Sequence, residues 1–234
     1  MRFTFPALAL LLCLPAAVAA DPAAPAPKAA ALHLTFEFVE VPLADWGAWI
    51  SENPLRVDAS PLYQTVGEWK KAGKASLIEI VSVQGRSGQR CKAESITEIT
   101  YPTDFQPAKI PETLSQIHNL VESPSTTIHP EGFETRNVGV TVEVDPVISG
   151  DGKTVDLNLS PEIVRELGTD AWPNDEVEAR HRAETPRFYT AKITSQIVAE
   201  PGKPTLVGTV RLPGANEGAP GQTVVLVFAK VDLG

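Results

Sequence analysis

The four histidines are the first residues to test for chemistry, because imidazole can hold a metal or act as a general acid or base. They are His33, His118, His129 and His181, and no two are four residues apart, the helical spacing of a zinc-binding pair. The chain also has no Gly-x-Ser-x-Gly elbow and no phosphate-cradling glycine loop. We therefore predict no enzyme activity, no metal and no cofactor.

Two other groups of polar residues need an interpretation. Asp151 lies between two glycines without the repeated acidic ligands of a calcium loop, so it is predicted to be a turn residue. A charged cluster is best explained as a solvated segment, and its other interpretation is a surface that binds a partner protein. The cluster residues proposed for partner binding are Glu176, Glu178, Arg180, His181 and Arg182.

Three tryptophans support a second hypothesis. Trp46 and Trp49 are at helical spacing, and Trp172 lies in a polar segment. A stripe of tryptophan on a short helix usually packs on a sheet, but exposed indole rings also form ligand platforms. The alternative function is therefore an exported ligand- or carbohydrate-binding β module that uses these three residues.

The first twenty residues have the pattern of a secretory signal peptide. Arg2 precedes the apolar run from Phe5 to Leu14, and small residues from Ala16 to Ala20 follow. The run is much shorter than the roughly 20 residues that span a bilayer. We predict a signal peptide over 1–20, cleavage after Ala20, and export of the remaining chain.

Removal of this leader leaves an acidic chain with a single cysteine. Arg2 is the only charged residue in the leader, so 19 Lys and Arg remain against 29 Asp and Glu, a net charge near −10. This charge disfavours nucleic acid and anionic lipid as partners. Cys91 cannot form an internal disulfide, and its alternation with Arg90 and Lys92 predicts a small core residue on the inward face of a strand.

The clearest element is a long antiparallel hairpin over residues 133–160. Valines alternate with polar residues from Val138 to Val144, and the period of two repeats from Val155 to Leu159. The segment Ser149-Gly150-Asp151-Gly152 supplies residues that accept the backbone angles of a tight reversal.

The segment before this hairpin predicts the order β-α-α-β-β. Residues 21–32 are an Ala/Pro-rich linker, and a single domain over 33–234 opens with a strand that ends near Val41. A helical segment opened by Pro42 and ended by Asn53-Pro54 follows, and a second helix begins at the cap Ser60 with Pro61 and ends at Gly73. A strand over 75–83, a turn at 86–88 and a returning strand over 89–100 complete the opening.

The rest of the chain predicts more strands and two irregular segments. Residues 101–132, with five prolines, read as a long connection, and residues 163–186 as a polar excursion. Strands are predicted over 188–198 and 205–212, and the apolar segment over 224–231 should be central in a sheet and covered on both faces. The predicted fold class is α+β, mainly β, an antiparallel β domain with two short helices packed on the sheet.

Several short motifs in this order of elements resemble a known family. The hairpin contains Val-Gly-Val followed by a proline and an Asp-Gly turn, and glycines mark the next turn and strand. The motif positions are Val138, Gly139, Val140, Pro146, Asp151, Gly152, Gly202 and Gly208. They resemble the C-terminal domain of the secretins, the outer-membrane proteins of type II and type III secretion and type IV pilus systems.

This resemblance implies a structural role for these positions and a non-enzymatic protein that acts by protein–protein contact in the periplasm or at the outer membrane. The implied partners are envelope or secretion-system proteins, or further copies of the chain in a ring. A polar loop over 213–220 replaces the family's apolar lip segment, and the outward strand positions are polar. These departures favour a soluble monomer or small oligomer, with no membrane-spanning segment after leader removal.

Overall fold

The computed structural model describes residues 31–106, 128–172, 182–213 and 220–234. Within these ranges the chain forms nine strands and two short helices. Their bounds are β1 (Ala31–Pro42), α1 (Leu43–Glu52), α2 (Ser60–Lys71), β2 (Ser76–Arg86), β3 (Cys91–Gln106), β4 (His129–Ile148), β5 (Val155–Trp172), β6 (Ala183–Lys192), β7 (Ser195–Ala199), β8 (Pro204–Pro213) and β9 (Pro220–Leu233). The predicted fold class is confirmed.

The strands form two antiparallel sheets that pack face to face. The first sheet has the order β2-β1-β9-β8, and the second has the order β3-β4-β5-β6, with β7 paired to β5. Alternating apolar residues of both sheets meet in one core, which contains Phe36 and Phe38 of β1 and the predicted inward residues of the hairpin. The residues of the hairpin that reach this core include Val140, Val142, Val144, Val155, Leu157 and Leu159.

Strand β9 is buried on both faces, as its continuous apolar sequence predicted. It lies between β1 and β8 in the first sheet. Val225 and Val227 face the core between the sheets, whereas Leu226 and Phe228 face a second core under the helices. The molecule therefore has three layers, with the helices on the outer face of the first sheet.

The two helices pack on the outer face of the first sheet through a small set of apolar residues. Trp46 of α1 is buried and stacks on Trp49, with ring centroids 5.9 Å apart. Leu62 and Val66 of α2 are buried beside them. Gly73 follows α2 with φ +71°, the left-handed conformation that ends a helix, so the predicted helix end is confirmed.

The predicted start of α2 needs a correction. Ser60 is the first helical residue, so the N-cap position falls on Ala59, which makes no side-chain capping bond. Instead, the carboxylate of Asp58 accepts a hydrogen bond from the backbone N–H of Ser60 at 2.9 Å. An aspartate two residues upstream therefore supplies the acceptor that the sequence assigned to the serine.

The sequence suggested that β3 returns alongside β2, but it does not. The predicted turn forms at Gly88, with φ +78°, but β3 then enters the second sheet and pairs with β4. Gly88 donates its N–H to the carbonyl of Pro146 on β4 at 2.7 Å, which fixes the turn to that sheet. Cys91 is buried as predicted, and a Cβ on Gly85 would lie 2.2 Å from its Sγ.

Strands extend well into both segments that the sequence assigned to irregular structure. β3 continues to Gln106 and β4 begins at His129, so only residues 107–127 of the predicted connection remain, and they lie outside the described residues. The prolines caused the error. β3 is an edge strand, where Pro102 pairs opposite Phe133 without breaking the sheet.

The predicted polar excursion over 163–186 is wrong for a related reason. β5 continues to Trp172 and β6 begins at Ala183, and residues 173–181 lie outside the described part of the chain. Beyond Val164 no residue of β5 is buried, and residues 183–186 of β6 are partly buried or exposed, so this part of the pair lacks a regular alternation of buried and exposed residues. The linker also ends earlier than predicted, because Leu32 pairs with Gly85 and is buried in the core.

The strand predicted over residues 188–198 is divided into β6 and β7. Both pair with β5, but the pairing is interrupted between them, where Pro161 of β5 has no N–H to donate. Ile193 donates its N–H to the carbonyl of Pro161 at 3.0 Å, and its side chain packs against Gly208 of the other sheet. Lys192, Thr194 and Gln196 are exposed, as predicted.

Candidate functional site

The second sheet extends beyond the core as two separate β ribbons. β4 and β5 pair only between Gly139 and Ile148, opposite Val164 and Val155. Past this point residues 97–106 pair with 129–138, which we call the first ribbon, and residues 165–172 pair with 183–189, the second ribbon. Few of these residues are buried, because the first sheet does not cover them.

Two contacts join the ribbons near their base. The rings of Tyr101 and Phe188 lie 5.4 Å apart, and Arg136 donates a hydrogen bond from Nη2 to Oγ1 of Thr190 at 2.8 Å. Tyr101 also donates its hydroxyl hydrogen to Glu134. Burial, followed by this hydrogen bond, raises the pKa of Tyr101.

Gly139 occupies the point at which the first ribbon leaves the sheet. Its φ is +133°, and a Cβ at this position would lie 2.1 Å from the carbonyl oxygen of Ser95 on β3. Side chains rarely adopt this backbone conformation, and the neighbouring backbone leaves no room for one. Only glycine fits here without moving the β3–β4 pair.

The other motif positions lie at turns or in the core. Val140 is buried and Val138 partly so, and Pro146 accepts the hydrogen bond that holds the turn before β3. Asp151 accepts from the hydroxyl of Ser149 and the N–H of Lys153. These bonds, the backbone one first, hold the pKa of Asp151 below its usual value.

The two later glycines serve the crossing between the sheets. Gly202 has φ +79° in the turn between β7 and β8, and donates its N–H to the carbonyl of Val231 at 2.8 Å. Gly208 contacts Ile193, and a Cβ there would lie 3.1 Å from its Cδ1. These geometries agree with structural roles for Gly202 and Gly208.

A polar concavity of ≈ 380 Å³ lies at the base of the ribbons. Lys92 contacts Glu94 at 2.8 Å and Glu143 at 3.8 Å across its floor. The hydrogen bond that Lys92 donates to Glu94 raises the pKa of Lys92. Glu162 is paired with Lys192 at 3.5 Å, and Arg136 also lines the concavity, which therefore carries charges of both signs.

A second concavity lies between the helices and is mainly apolar. This helix groove, of ≈ 230 Å³, is lined by Trp49, Asn53, Pro54, Leu55, Arg56, Asp58, Ala59, Pro61 and Leu62. The sequence did not predict this groove. The available signal was the pair of apolar residues Leu55 and Val57 in a short loop between two helices, where an exposed loop would normally carry polar residues.

Two tertiary contacts and one local hydrogen bond fix the loop that forms the groove. Ala59 donates its N–H to the carbonyl of Pro204 at 2.9 Å, and Asn53 donates from Nδ2 to the carbonyl of Trp49. Lys203 lies 3.0 Å from Asp58. Hydrogen bonds from Ser60, and then from Lys203, lower the pKa of Asp58 to about 2.

The base of α2 is held to β1 by a mixed polar and aromatic cluster. Tyr63 donates its hydroxyl hydrogen to Oε1 of Glu37, and Lys70 lies 3.6 Å from Oε2 of the same carboxylate. The Lys70 ammonium lies 5.7 Å from the centre of the Tyr63 ring. Burial, and then the bond to Glu37, raises the pKa of Tyr63 to about 12.

This shift predicts a loss of stability in strong alkali. The ordinary tyrosine pKa is about 10, so the stabilising contribution of Tyr63 is complete below pH 10 and is lost as the pH rises toward 12. Absorbance titration at 295 nm of wild type minus Tyr63→Phe should give a midpoint near 12 in the folded protein. In urea the same difference should titrate near 10, and a folded midpoint near 10 would contradict the assignment.

One member of the candidate partner surface, Arg182, lies within the described residues. Arg182 lies 3.5 Å from Glu184, at the start of β6. The other four members, Glu176, Glu178, Arg180 and His181, are outside the described residues. This surface therefore stays a prediction.

The three tryptophans do not form one platform. Trp46 is buried under Trp49 on the helical layer, whereas Trp172 is 79% exposed at the end of β5 in the other sheet. A ligand that stacked on all three would have to cross from one sheet to the other. The carbohydrate-binding alternative is therefore not favoured.

Among the described residues, no three His, Cys, Asp or Glu side chains are placed to hold a metal ion together. Neither α1 nor α2, the helices of the described ranges, has the length and apolar character needed to cross a bilayer.

The fold defines an α+β protein with two packed antiparallel sheets and a layer of two helices, and comparisons place it beside solved structures. No protein-family model and no curated protein sequence matches the chain. Solved structures that match include the secretin GspD in the ETEC pilotin–secretin AspS–GspD complex, with 12% identity and a TM-score of 0.42 over 88% of this chain and 50% of that chain.

Two further matches come from other secretion and pilus systems. The Salmonella SPI-1 type III secretion injectisome secretin InvG has 12% identity and a TM-score of 0.43, with 88% of this chain and 65% of that chain covered. The V. cholerae type IV competence pilus secretin PilQ has 10% identity and a TM-score of 0.43, with 88% and 61% covered. The chain thus spans about half to two thirds of these structures. A match at this level assigns neither a family nor an activity.

Proposed function

We propose that this chain is an exported, non-enzymatic, secretin-like protein that acts by protein–protein contact in the cell envelope, in type II or type III secretion or pilus-type protein transport. Its partners are envelope or secretion-system proteins or further copies of itself. Export is supported by the signal-peptide pattern of residues 1–20. The secretin-like assignment is supported by the sequence motifs and by the geometry at Gly139, Pro146 and Gly202.

The observation that carries the proposal is the pair of exposed ribbons. Phe133 on the first ribbon is 58% exposed and Trp172 at the end of the second is 79% exposed. Large aromatic side chains are enriched where proteins bind one another, because each removes much apolar surface from water for little entropy cost. Two ribbons that carry such side chains beyond the core are therefore suited to contact with another protein.

The charges of the second sheet support a small, water-exposed assembly. Arg90 forms a two-point bond with Asp145, from Nε at 2.9 Å and Nη2 at 2.8 Å. Outward positions such as Glu143, Asp156 and Lys192 are also polar. We therefore propose a monomer or small oligomer, with edge strands that are guarded by charge against uncontrolled pairing.

Site-specific photocrosslinking in the intact envelope tests this proposal. A photoreactive phenylalanine analogue at position 133 or 172 should give protein adducts, whereas the same group at Leu77, 45% exposed on β2, should give few. Trp172→Ala should reduce the adducts at position 133 while the melting temperature stays unchanged. A protein that remains in the cytoplasm, or adducts that are equal at all three positions, would contradict the proposal.

The assembly state is tested separately by fractionation and sedimentation. We expect a species of one to a few chains that can be extracted without detergent. Recovery as heat-stable rings of many subunits in the outer membrane would overturn the proposal of a small oligomer and would leave the proposal of contact function standing.

A further inference from the structure

We propose that the helix groove binds an extended peptide segment of a partner protein, which inserts one aliphatic side chain into the cavity and places a carboxylate beside Arg56. This inference rests on the proposed function, because it names the chemistry of a partner that the contact protein would bind. The groove is separate from both ribbons, since it lies in the helical layer on the outer face of the first sheet.

The size of the groove fits a side chain better than a free small molecule. Its volume of ≈ 230 Å³ is below the roughly 300–1,000 Å³ of typical small-molecule sites. Trp49, Pro54, Leu55, Pro61 and Leu62 give it an apolar wall. An aliphatic anchor buried among such residues is the usual central element of a protein contact.

The surface around the groove extends the apolar contact. Ile50, Leu55 and Val57 are all large apolar residues with more than a third of their surface exposed, and all lie on α1 or on the loop after it. An exposed apolar group next to a preformed cavity marks an interaction site more strongly than scattered apolar residues do. The partner therefore gains contacts both inside the cavity and along its rim.

The backbone N–H groups and the positive charge of the loop between α1 and α2 indicate the conformation and the charge of the partner segment. Within the described parts of the chain, the N–H groups of Leu55, Arg56 and Val57 have no hydrogen-bond partner, and the Arg56 guanidinium has no ion pair. These N–H groups can donate hydrogen bonds to the backbone carbonyls of an extended peptide. Arg56 forms charge-assisted bonds with a carboxylate, so an acidic residue next to the aliphatic anchor is favoured.

The groove is held in shape before binding. The bonds from Ala59 to Pro204 and from Asn53 to Trp49 join the loop to β8 and α1, and Lys203 holds Asp58. The neighbouring acidic group, Asp58, is already bonded to Ser60 and Lys203, so it does not neutralise Arg56. A fixed groove loses little conformational freedom on binding, which favours affinity for a short segment.

The test uses a phage-displayed library of random decapeptides, selected on the purified exported protein. We expect enriched peptides to share an aliphatic residue close to Asp or Glu. A synthetic peptide from this set should bind Leu55→Asp at least about tenfold more weakly than wild type. The matched control Leu77→Asp, at a similarly exposed leucine on β2, should bind within about twofold of wild type.

The charge preference gives a second measurement. Arg56→Glu should reverse the preference, so that a peptide with Lys in place of its acidic residue binds the variant better than the original peptide does. Circular dichroism and melting curves would confirm that the surface variants fold. The absence of enriched peptides, or binding that is insensitive to Leu55→Asp and Arg56→Glu, would overturn the inference.

A second copy of the chain is another outcome of the test. A dimer in sedimentation that dissociates on Leu55→Asp would show that the groove binds the protein itself, and would overturn the assignment to a partner segment. Crosslinks from positions 133 and 172 depend on the ribbons and not on the groove. Their loss would contradict the contact function even where peptide binding at the groove is unchanged.

Discussion

Replacement of Gly139 by alanine is expected to lower the free energy of unfolding by about 3–5 kcal/mol. The φ of +133° costs an alanine about 1–3 kcal/mol, and the Cβ would lie 2.1 Å from the Ser95 carbonyl oxygen, which belongs to backbone and cannot rotate away. Relief requires the β3–β4 pair to open at Ile96, with loss of ladder hydrogen bonds worth about 0.5–1.5 kcal/mol each. Urea unfolding measures the change.

Two other glycines serve as controls that separate the cost of backbone strain from the cost of the steric clash. Gly168 has φ +123° but nothing within 4 Å of its added Cβ, so Gly168→Ala should show the strain alone, about 1–2 kcal/mol. Gly150 has open space and no positive φ, so Gly150→Ala should stay within about 0.5 kcal/mol of wild type. Equal losses for Gly139→Ala and Gly168→Ala would show that the close approach to Ser95 is unimportant.

Gly139→Ala is also expected to affect contacts made by the first ribbon. Gly139 is the first residue of β4 that pairs with β5, and the first ribbon is formed by the residues directly before it. A variant that folds but opens this junction changes the direction of the ribbon relative to the sheet. In Gly139→Ala we therefore expect fewer crosslinks from position 133, whereas peptide binding at the helix groove should be retained.

The sequence predicted those parts of the fold in which the type of each residue reflects whether its side chain is buried. Val140 to Val144 alternate because one face is buried, and residues 224–231 are continuously apolar because both faces of β9 are buried. The turns at Gly88 and Gly152 have the positive φ that their residue types suggested. In these segments the local pattern and the tertiary environment agree.

The sequence was less informative where structure depends on distant partners. The residues of the turn at Gly88 do not specify whether the next strand returns to β2 or enters the other sheet. The hydrogen bond from Gly88 to Pro146 joins the turn to the second sheet. In the first ribbon, Ile99, Tyr101 and Phe105 keep the period of two, but the prolines in this segment favoured an irregular connection. The helix groove depends on Pro204, which approaches Ala59 only in the folded chain.

The second large effect is expected for Phe228→Ala, with a loss of about 3–5 kcal/mol. Phe228 is 2% exposed on β9 and lies under α2, where the ring of Tyr63 meets it edge to face at 5.3 Å. Alanine leaves a cavity between the first sheet and the helical layer. Urea unfolding should show the loss, whereas Phe133→Ala, on the exposed first ribbon, should change stability by less than about 0.5 kcal/mol.

Hydrogen exchange distinguishes a local from a general effect of Phe228→Ala. Phe38 is also fully buried but faces the core between the two sheets, so Phe38→Ala should cost a similar amount and lower the protection of α2 and β5 together. Phe228→Ala removes the support of Tyr63, so the amides of α2 should lose more protection than those of β5. Because the same helix forms a wall of the helix groove, peptide binding should weaken in Phe228→Ala and persist in Phe38→Ala. An equal loss of hydrogen-exchange protection in α2 and β5 on Phe228→Ala would contradict a separate helical layer that depends on this ring.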